Sequence, residues 1–138
     1  MPVETEPHQA KAVGDNMPVS WKDCTEIGRF VKGDTVEKAK RKLEMVTEEE
    51  LAVPYTKFDS DVGHRSGQGS GRYPVKAAKH VLEVLEAAES NAEHEGLNPG
   101  SLEVQKFITN KGQEMQTPGR FRGETTKAAH VKIVVGER

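Results

Sequence analysis

The basic, glycine-rich segment from Gly63 to Arg72 is the part of the chain whose residue types most readily suggest chemistry. It reads Gly-His-Arg-Ser-Gly-Gln-Gly-Ser-Gly-Arg and leads into a predicted helix. Glycines let backbone N–H groups approach phosphate oxygens, and a helix N-terminus adds partial positive charge. Arg65, Arg72 and Lys76 supply cations. The segment therefore suits a nucleic-acid backbone, with a plain flexible loop as the alternative.

A nucleotide site is a weaker interpretation of the same segment. It lacks the Gly-Lys-Ser/Thr ending of a P-loop and the Gly-x-Gly-x-x-Gly spacing of a dinucleotide turn, and no apolar strand leads into it. A nucleotide-dependent enzyme stays as a hypothesis that binding of ATP or GTP would support.

A second short segment, Gly119–Gly123, combines arginine with an aromatic residue. Its sequence is Gly-Arg-Phe-Arg-Gly. Arg120 and Arg122 could hold phosphates while Phe121 stacks on a base, as in short RNA-contact elements.

Metal and catalytic sites have little support. No histidine is spaced with Cys, Asp or another His as metal ligands are, and no nucleophile–base pair can be assigned. The single cysteine, Cys24, excludes an intrachain disulfide and lies on a predicted apolar helix face. We therefore expect no metal, no cofactor and no enzyme activity.

The distribution of charge says more than its total. The chain has 138 residues, 20 basic and 22 acidic, for a net charge of −2. Segments 51–72 and 101–138 carry +1 and +3, whereas 1–50 and 73–100 carry −3 each. Because the positive segments are also glycine-rich, they suit close approach to a phosphate chain. No apolar run is long enough for a membrane span, and the acidic N-terminus resembles no signal peptide, so we expect a soluble cytosolic protein.

Hydrophobic periodicity predicts three helices. The first starts at Ser20 with Asp23 completing a capping box, and ends near Gly33. The second is opened by Asp34, and the third spans 74–95. Their apolar stripes repeat at helical spacing, and the most regular members are Cys24, Ile27, Val31, Val36, Ala39, Leu43, Val46, Ala78, Leu82, Leu85, Ala88 and Ala92.

The remaining segments are predicted as tail, strands and loop. Residues 1–9 have the composition of a disordered tail, 10–19 can hold an edge strand, and 52–72 read as a loop without regular structure. Strands 102–112 and 124–135 would pair as a β-hairpin. Since its distal half has almost no apolar residues, such an arm needs a partner surface.

The order of several short motifs resembles one known family. These motifs are Pro18-Val19-Ser20-Trp21-Lys22, Gly28-Arg29-Phe30-Val31-Lys32-Gly33, Val62-Gly63-His64-Arg65, Gly71-Arg72-Tyr73-Pro74-Val75-Lys76-Ala77-Ala78-Lys79 and Ala87-Ala88-Glu89-Ser90-Asn91-Ala92-Glu93-His94. Together they resemble large ribosomal subunit protein L twenty-two in its archaeal–eukaryotic form, from about residue 10 to 135.

The resemblance implies an α+β fold, with three helices packed on a small antiparallel sheet and a long protruding β-hairpin. After the tail 1–9, one domain would cover 10–138, with the hairpin at about 102–135. The implied function is structural, without catalytic residues or a required cofactor. The protein would bind large-subunit ribosomal RNA in the cytoplasmic large subunit, beside neighbouring ribosomal proteins. Its hairpin would line the exit tunnel and meet the nascent polypeptide.

The resemblance also assigns residues. It matches RNA-binding positions to Ser20, Trp21, Lys22, His64, Arg65, Arg72, Lys76, Arg120 and Arg122. The placement of basic residues in 57–76 and 106–132 adds Lys57, Lys106, Lys111, Lys127, His130 and Lys132 to the predicted RNA-binding set. The tunnel-facing hairpin tip would be Gln113, Glu114, Met115, Gln116 and Thr117. The chain departs from the family's basic pattern at this tip and at Val13-Gly14-Asp15-Asn16.

A protein-interaction module with secondary RNA binding is the alternative. It is favoured by the net negative charge and by Glu83, Glu86 and Glu93 on the third helix. Salt sensitivity would separate the two, because binding to a phosphate backbone weakens steeply as salt rises.

Overall fold

The structure is a computed structural model and describes residues 8–58, 60, 62–65, 69–113, 115–116 and 125–137. The helices among them are α1 (Trp21–Val31), α2 (Val36–Thr47) and α3 (Val75–His94), with a 3-10 turn at Pro99–Ser101. The strands are β1 (Gln9–Met17), β2 (Val53–Pro54), β3 (His64–Arg65), β4 (Gly69–Arg72), β5 (Leu102–Lys111), β6 (Met115–Gln116), β7 (Thr125–Thr126) and β8 (Ala129–Glu137).

A three-stranded antiparallel sheet forms one layer, with β8 in the centre between β1 and β5. Alternate residues of β8 are buried in the core, and these are Ala129, Val131, Ile133 and Val135. The period of two therefore fixes which sheet face meets the helices. On the other face, Lys11 of β1 and Lys106 of β5 flank Val134 of β8.

The helices form the second layer on the core face of the sheet. Helix α3 packs on β1 and β8, α1 packs on β5, and α2 packs mainly on α3. The predicted apolar stripes supply most of the core, although Leu82 is only partly buried. The predicted α+β class is thus confirmed, and α3 ends within one residue of each predicted boundary.

The helix starts differ from the predicted caps. Ser20 occupies the N-cap position of α1, but its side chain makes no capping hydrogen bond. Asp23 instead accepts a hydrogen bond from the hydroxyl of Tyr55. The N-cap of α2 is Thr35, whose hydroxyl accepts from the Lys38 N–H at 3.3 Å. Asp34 pairs with Lys42 at 2.6 Å, so the capping role assigned to it was wrong.

The predicted β-hairpin is present. Strands β5 and β8 pair from Leu102↔Glu137 to Lys111↔Ala129, and β6 and β7 continue the ladder with two further pairs. Between the two ladders, the Gly112 N–H donates to the Ala128 carbonyl at 2.8 Å. A Cβ added at Gly112 would lie 2.9 Å from the Ala128 backbone. Glycine therefore allows the close strand approach where the arm leaves the sheet.

The described part of segment 52–72 contains short strands that the sequence did not predict. Strand β4 pairs with β2 and with β3, and Gly69 has a φ of +78°. Strands of two to four residues show no periodicity, which is why the sequence predicted only a loop. The predicted tail 1–9 lies mostly outside the described residues, and β1 already begins at Gln9.

Candidate nucleic-acid interface

The loop after β2 is fixed to helix α1 by one buried carboxylate. Glu26 is fully buried and accepts backbone N–H bonds from Thr56, Lys57 and Phe58 at 2.8, 3.0 and 3.3 Å. Because these bonds end on a charged acceptor, they satisfy a buried charge that would otherwise be costly. They hold the loop in one place relative to α1 and so position the side chains of Lys57 and Phe58.

Aromatic rings and lysines meet at the start of α1. The rings of Trp21 and Phe58 pack edge to face, with centroids 5.2 Å apart and planes at 80°. The Lys22 ammonium lies 6.0 Å from the Trp21 ring and 5.6 Å from the Phe58 ring. The Lys57 ammonium lies 5.5 Å from the Phe58 ring. Cations at these distances are attracted to the faces of the aromatic rings. This attraction favours positions of the two ammonium groups next to Trp21 and Phe58.

A groove of about 380 Å³ opens beside this cluster. Its described lining is Ser20, Lys22, Asp23, Tyr55, Lys57, Phe58, Ser60, Arg72 and Lys127. Asp23 is the only acid in that set, and its Oδ1 accepts the Tyr55 hydroxyl at 2.7 Å. The Arg72 guanidinium lies 5.8 Å from the Tyr55 ring. The groove therefore combines four cations, aromatic surface and one carboxylate, which we call the α1 groove.

Two smaller depressions extend this surface along α1 and the hairpin base. One, of about 180 Å³, is lined by Ser20, Trp21, Lys22, Lys111, Lys127 and Ala128. The other, of about 280 Å³, is lined by Trp21, Thr25, Gly28, Arg29, Lys32, Lys57, Phe107 and Thr109. We call the α1 groove and these depressions together the α1 basic surface.

Two buried groups that interact with Asp23 have raised pKa values. Burial raises the pKa of the Tyr55 hydroxyl, and the hydrogen bond to Asp23 raises it further. Tyr55 thus stays a neutral donor to the carboxylate at any ordinary pH. Burial also raises the pKa of Cys24 to about 12, with Asp23 adding to the effect. Cys24 is fully buried, so it is a small apolar core residue as predicted.

The structure brings seven predicted RNA-binding residues together on the α1 basic surface: Ser20, Trp21, Lys22, Lys57, Arg72, Lys111 and Lys127. They come from α1, the loop after β2, β4 and the base of the hairpin. This convergence of separate segments was not visible in the sequence.

Other predicted residues lie elsewhere. His64 is exposed on β3, and Lys76 is exposed in the first turn of α3. Lys106, His130 and Lys132 lie on the sheet face away from the helices, where the Nδ1 of His130 is 3.3 Å from Asp15.

The hairpin end is described only in part. Met115 and Gln116 are placed in β6 by their backbones, and Gln113 is exposed. Arg65, a predicted residue outside the hairpin, is placed in β3 by its backbone. The predicted residues Glu114, Thr117, Arg120 and Arg122 lie outside the described residues.

Sequence reasoning missed several residues that build this surface. Glu26 was not singled out, although it is an acid directly beside the apolar position Ile27. Tyr55 and Phe58 lie in a segment that was predicted as a loop. Aromatic residues in such a segment were the only feature of the sequence that pointed to them. Arg29 and Lys32 lie on the same surface because α1 turns them toward β5.

The acidic residues of α3 lie apart from the α1 basic surface. Glu83, Glu86 and Glu93 are exposed and line none of the three depressions. Glu89 pairs with Lys40 of α2 at 2.8 Å. The exposed glutamates of α3 are therefore not part of the α1 basic surface.

In the part of the chain that the structure describes, no group of three or more His, Cys, Asp and Glu side chains could hold a metal ion. Within the same residues, no helix is both long and apolar enough to cross a membrane.

Comparison with known proteins identifies what this chain is similar to. Residues 12–136 match the family model described as ribosomal protein L22p/L17e. The chain is 41% identical to large ribosomal subunit protein uL22 of Methanosphaera stadtmanae, over 93% of this chain and 88% of that protein. It is 40% identical to the protein of the same name from Archaeoglobus fulgidus, over 95% and 88% of the two chains. For Thermofilum pendens the identity is 37%, over 98% and 94%.

Proposed function

The chain belongs to the ribosomal protein L22p/L17e family, and on this premise we propose that it binds large-subunit ribosomal RNA through the α1 basic surface. It is a structural protein of the large ribosomal subunit and not an enzyme. As a protein of the large ribosomal subunit, it is cytoplasmic. The RNA contact and the exit-tunnel position are the finer parts of the proposal.

The proposal of an RNA contact rests mainly on one observation. Seven residues predicted from separate segments converge on one surface whose described lining is rich in cations and has a single acid. Lysine and arginine supply the affinity for phosphates, and the Trp21–Phe58 pair adds aromatic surface typical of RNA contacts. Lys106, Lys132, His64 and Lys76 would add contacts outside this surface.

The β-hairpin is proposed to line the nascent-polypeptide exit tunnel. Strand β5 has ten residues and so a length of about 33 Å. It is buried at Leu102 and Val104 but exposed at Asn110 and Lys111. An arm that leaves the core in this way needs another surface for its distal half, which RNA and the tunnel wall would provide. The body would then lie near the tunnel exit, beside neighbouring ribosomal proteins.

The salt dependence of RNA binding tests the proposed contact. The variant Lys57→Gln with Lys127→Gln removes two cations from the α1 groove. We expect weaker binding to a large-subunit RNA fragment, and a log–log salt slope smaller by about 0.7–0.9 for each lost phosphate contact. The matched control, Arg41→Gln with Lys79→Gln, removes two exposed charges from α2 and α3. Equal slopes for the two variants would refute a role for this surface.

Protein binding through α3 is the second candidate function. The exposed Glu83, Glu86 and Glu93 favour a basic protein partner. This face is compatible with the ribosomal role, because it lines none of the α1 depressions. Charge reversal at these glutamates should leave RNA binding in place while it disrupts a protein contact.

A further inference from the structure

We propose that the α1 groove receives one unpaired base of the bound RNA, with Asp23 accepting hydrogen bonds from the base and the lysines at the rim holding its flanking phosphates. This inference rests on the proposed function and deepens it, since it names the part of the RNA that enters the groove. It also predicts a preference among bases, which a purely electrostatic contact lacks.

The position of Asp23 argues for a base rather than a phosphate in the groove. Its carboxylate lies among Lys22, Lys57, Arg72 and Lys127, and it would repel a phosphate. Its Oδ1 already accepts the Tyr55 hydroxyl at 2.7 Å. Its Oδ2 has no hydrogen-bond partner within the described residues. An ionised carboxylate only accepts, so it selects a ligand that presents N–H donors.

Guanine fits this acceptor best among the bases. Its Watson–Crick edge presents a ring N–H and an amino group side by side, which matches a carboxylate. Uracil presents one N–H between two carbonyl oxygens, and the carboxylate would repel both. Proteins read unpaired bases of RNA through such edge contacts.

Phe58 supplies a wall against which the base could pack. The Phe58 ring lines the groove and packs edge to face against Trp21, with the ring centroids 5.2 Å apart. Its backbone N–H is anchored on Glu26 at 3.3 Å. The ring is therefore positioned before any ligand arrives, which lowers the entropic cost of stacking.

The size and rim of the groove agree with this occupant. A volume of about 380 Å³ lies within the range of small-ligand sites, which runs from roughly 300 to 1,000 Å³. Lys57, in the loop after β2, and Lys127, at the base of the hairpin, both lie in the lining. We expect each of them to contact a phosphate that flanks the inserted nucleotide.

The chain offers its own probe for the experiment. Trp21 is the only tryptophan and lies in contact with Phe58. Binding of the pentanucleotides UUGUU and UUUUU to the full chain can be followed by Trp21 fluorescence at low salt. We expect UUGUU to bind roughly tenfold more tightly, a typical discrimination for one base contact. Equal affinities would overturn the inference.

The variant Asp23→Asn gives the sharpest discrimination. Asparagine keeps an acceptor for Tyr55 but replaces half of the carboxylate by a donor. If a base binds at Asp23, UUGUU should lose affinity while UUUUU does not. If only phosphates bind, removing the negative charge should strengthen both oligonucleotides equally, which would overturn the inference.

Phe58→Leu is a second variant in case Asp23→Asn unfolds the chain. It should weaken UUGUU by roughly tenfold through lost stacking and leave the salt slope unchanged. Unchanged affinity would count against the base site. Failure of UUGUU to bind would also overturn it, while the salt-slope and sedimentation experiments decide the proposed function separately.

Discussion

The buried carboxylate of Glu26 on α1 accepts the backbone N–H of Lys57 at 3.0 Å, across 31 positions of sequence. The same carboxylate accepts the N–H groups of Thr56 and Phe58. Through these bonds, a residue that is itself inaccessible sets the place of the lysine and the aromatic ring that line the α1 groove. The interface therefore depends on a side chain that no RNA could touch.

Replacement of Glu26 should damage both stability and binding. Glu26→Gln places an amide N–H₂ against backbone donors, and Glu26→Ala leaves three of them without their acceptor. We expect the free energy of unfolding in urea to fall by about 2–4 kcal/mol. RNA affinity should fall as well, in buffer where the variant is folded. Glu37→Gln, at an exposed site on α2, is the control and should change stability by under about 0.5 kcal/mol.

Close packing at Gly28 predicts a second effect on stability. A Cβ at this position would lie 2.3 Å from the ring of Phe107. Gly28→Ala should therefore push α1 away from β5 and lower the free energy of unfolding by about 1–3 kcal/mol. At Gly63 an added Cβ meets nothing within 4 Å. If thermal unfolding shows Gly28→Ala to be as stable as Gly63→Ala, this packing account is wrong.

The two helix starts predict unequal effects of losing a hydroxyl. Thr35 caps α2 through its bond to the Lys38 N–H, whereas the Ser20 side chain makes no capping bond. Thr35→Ala should lower the free energy of unfolding by about 1 kcal/mol. Ser20→Ala should have a much smaller effect. Denaturant titration of the two variants in parallel checks the difference, and a larger loss for Ser20→Ala would contradict it.

Alkaline pH should destabilise the fold through Cys24 and Tyr55. Both pKa values are raised in the folded state, so the unfolded chain loses these protons first as pH rises. Their contribution to stability is complete below about pH 9 and declines above it, by up to about 1.4 kcal/mol per pH unit for each group. Cys24→Ala should show a shallower decline in pH-dependent urea titrations. A decline as steep as that of the unmodified chain would exclude Cys24 as a source.

The sequence predicted secondary structure well where a periodic pattern of apolar residues extends over many residues. Helix α3 was predicted within one residue at each end because its apolar stripe runs for five turns, and β8 was recognised from its alternation. The cap of α2 was assigned to Asp34 instead of Thr35, because neighbouring residues of both types fit the same pattern. The Asp34 carboxylate pairs with Lys42 instead of capping the helix. The sequence pattern around the helix start does not predict this pairing.

The sequence predicted many of the residues of the interface but not that they lie together on one surface. The lysines and arginines were named from charge placement and from the family resemblance. Their convergence depends on Glu26, whose role requires the loop 56–58 to return to α1. A single acid beside an apolar stripe carries no sign of that contact. The groove also depends on Asp23, which the sequence pattern assigned to a helix cap.

Sedimentation tests the central claim most directly. The tagged chain with Lys57→Gln and Lys127→Gln, the Arg41→Gln/Lys79→Gln control and the unmodified chain would each be expressed in a host that makes ribosomes of the archaeal type. Lysates would be washed at high salt and run on sucrose gradients. The account predicts that the unmodified chain and the control travel with the large subunit, and that the α1 groove variant is depleted from it. An unmodified chain that stays at the top of the gradient as free protein would contradict the account.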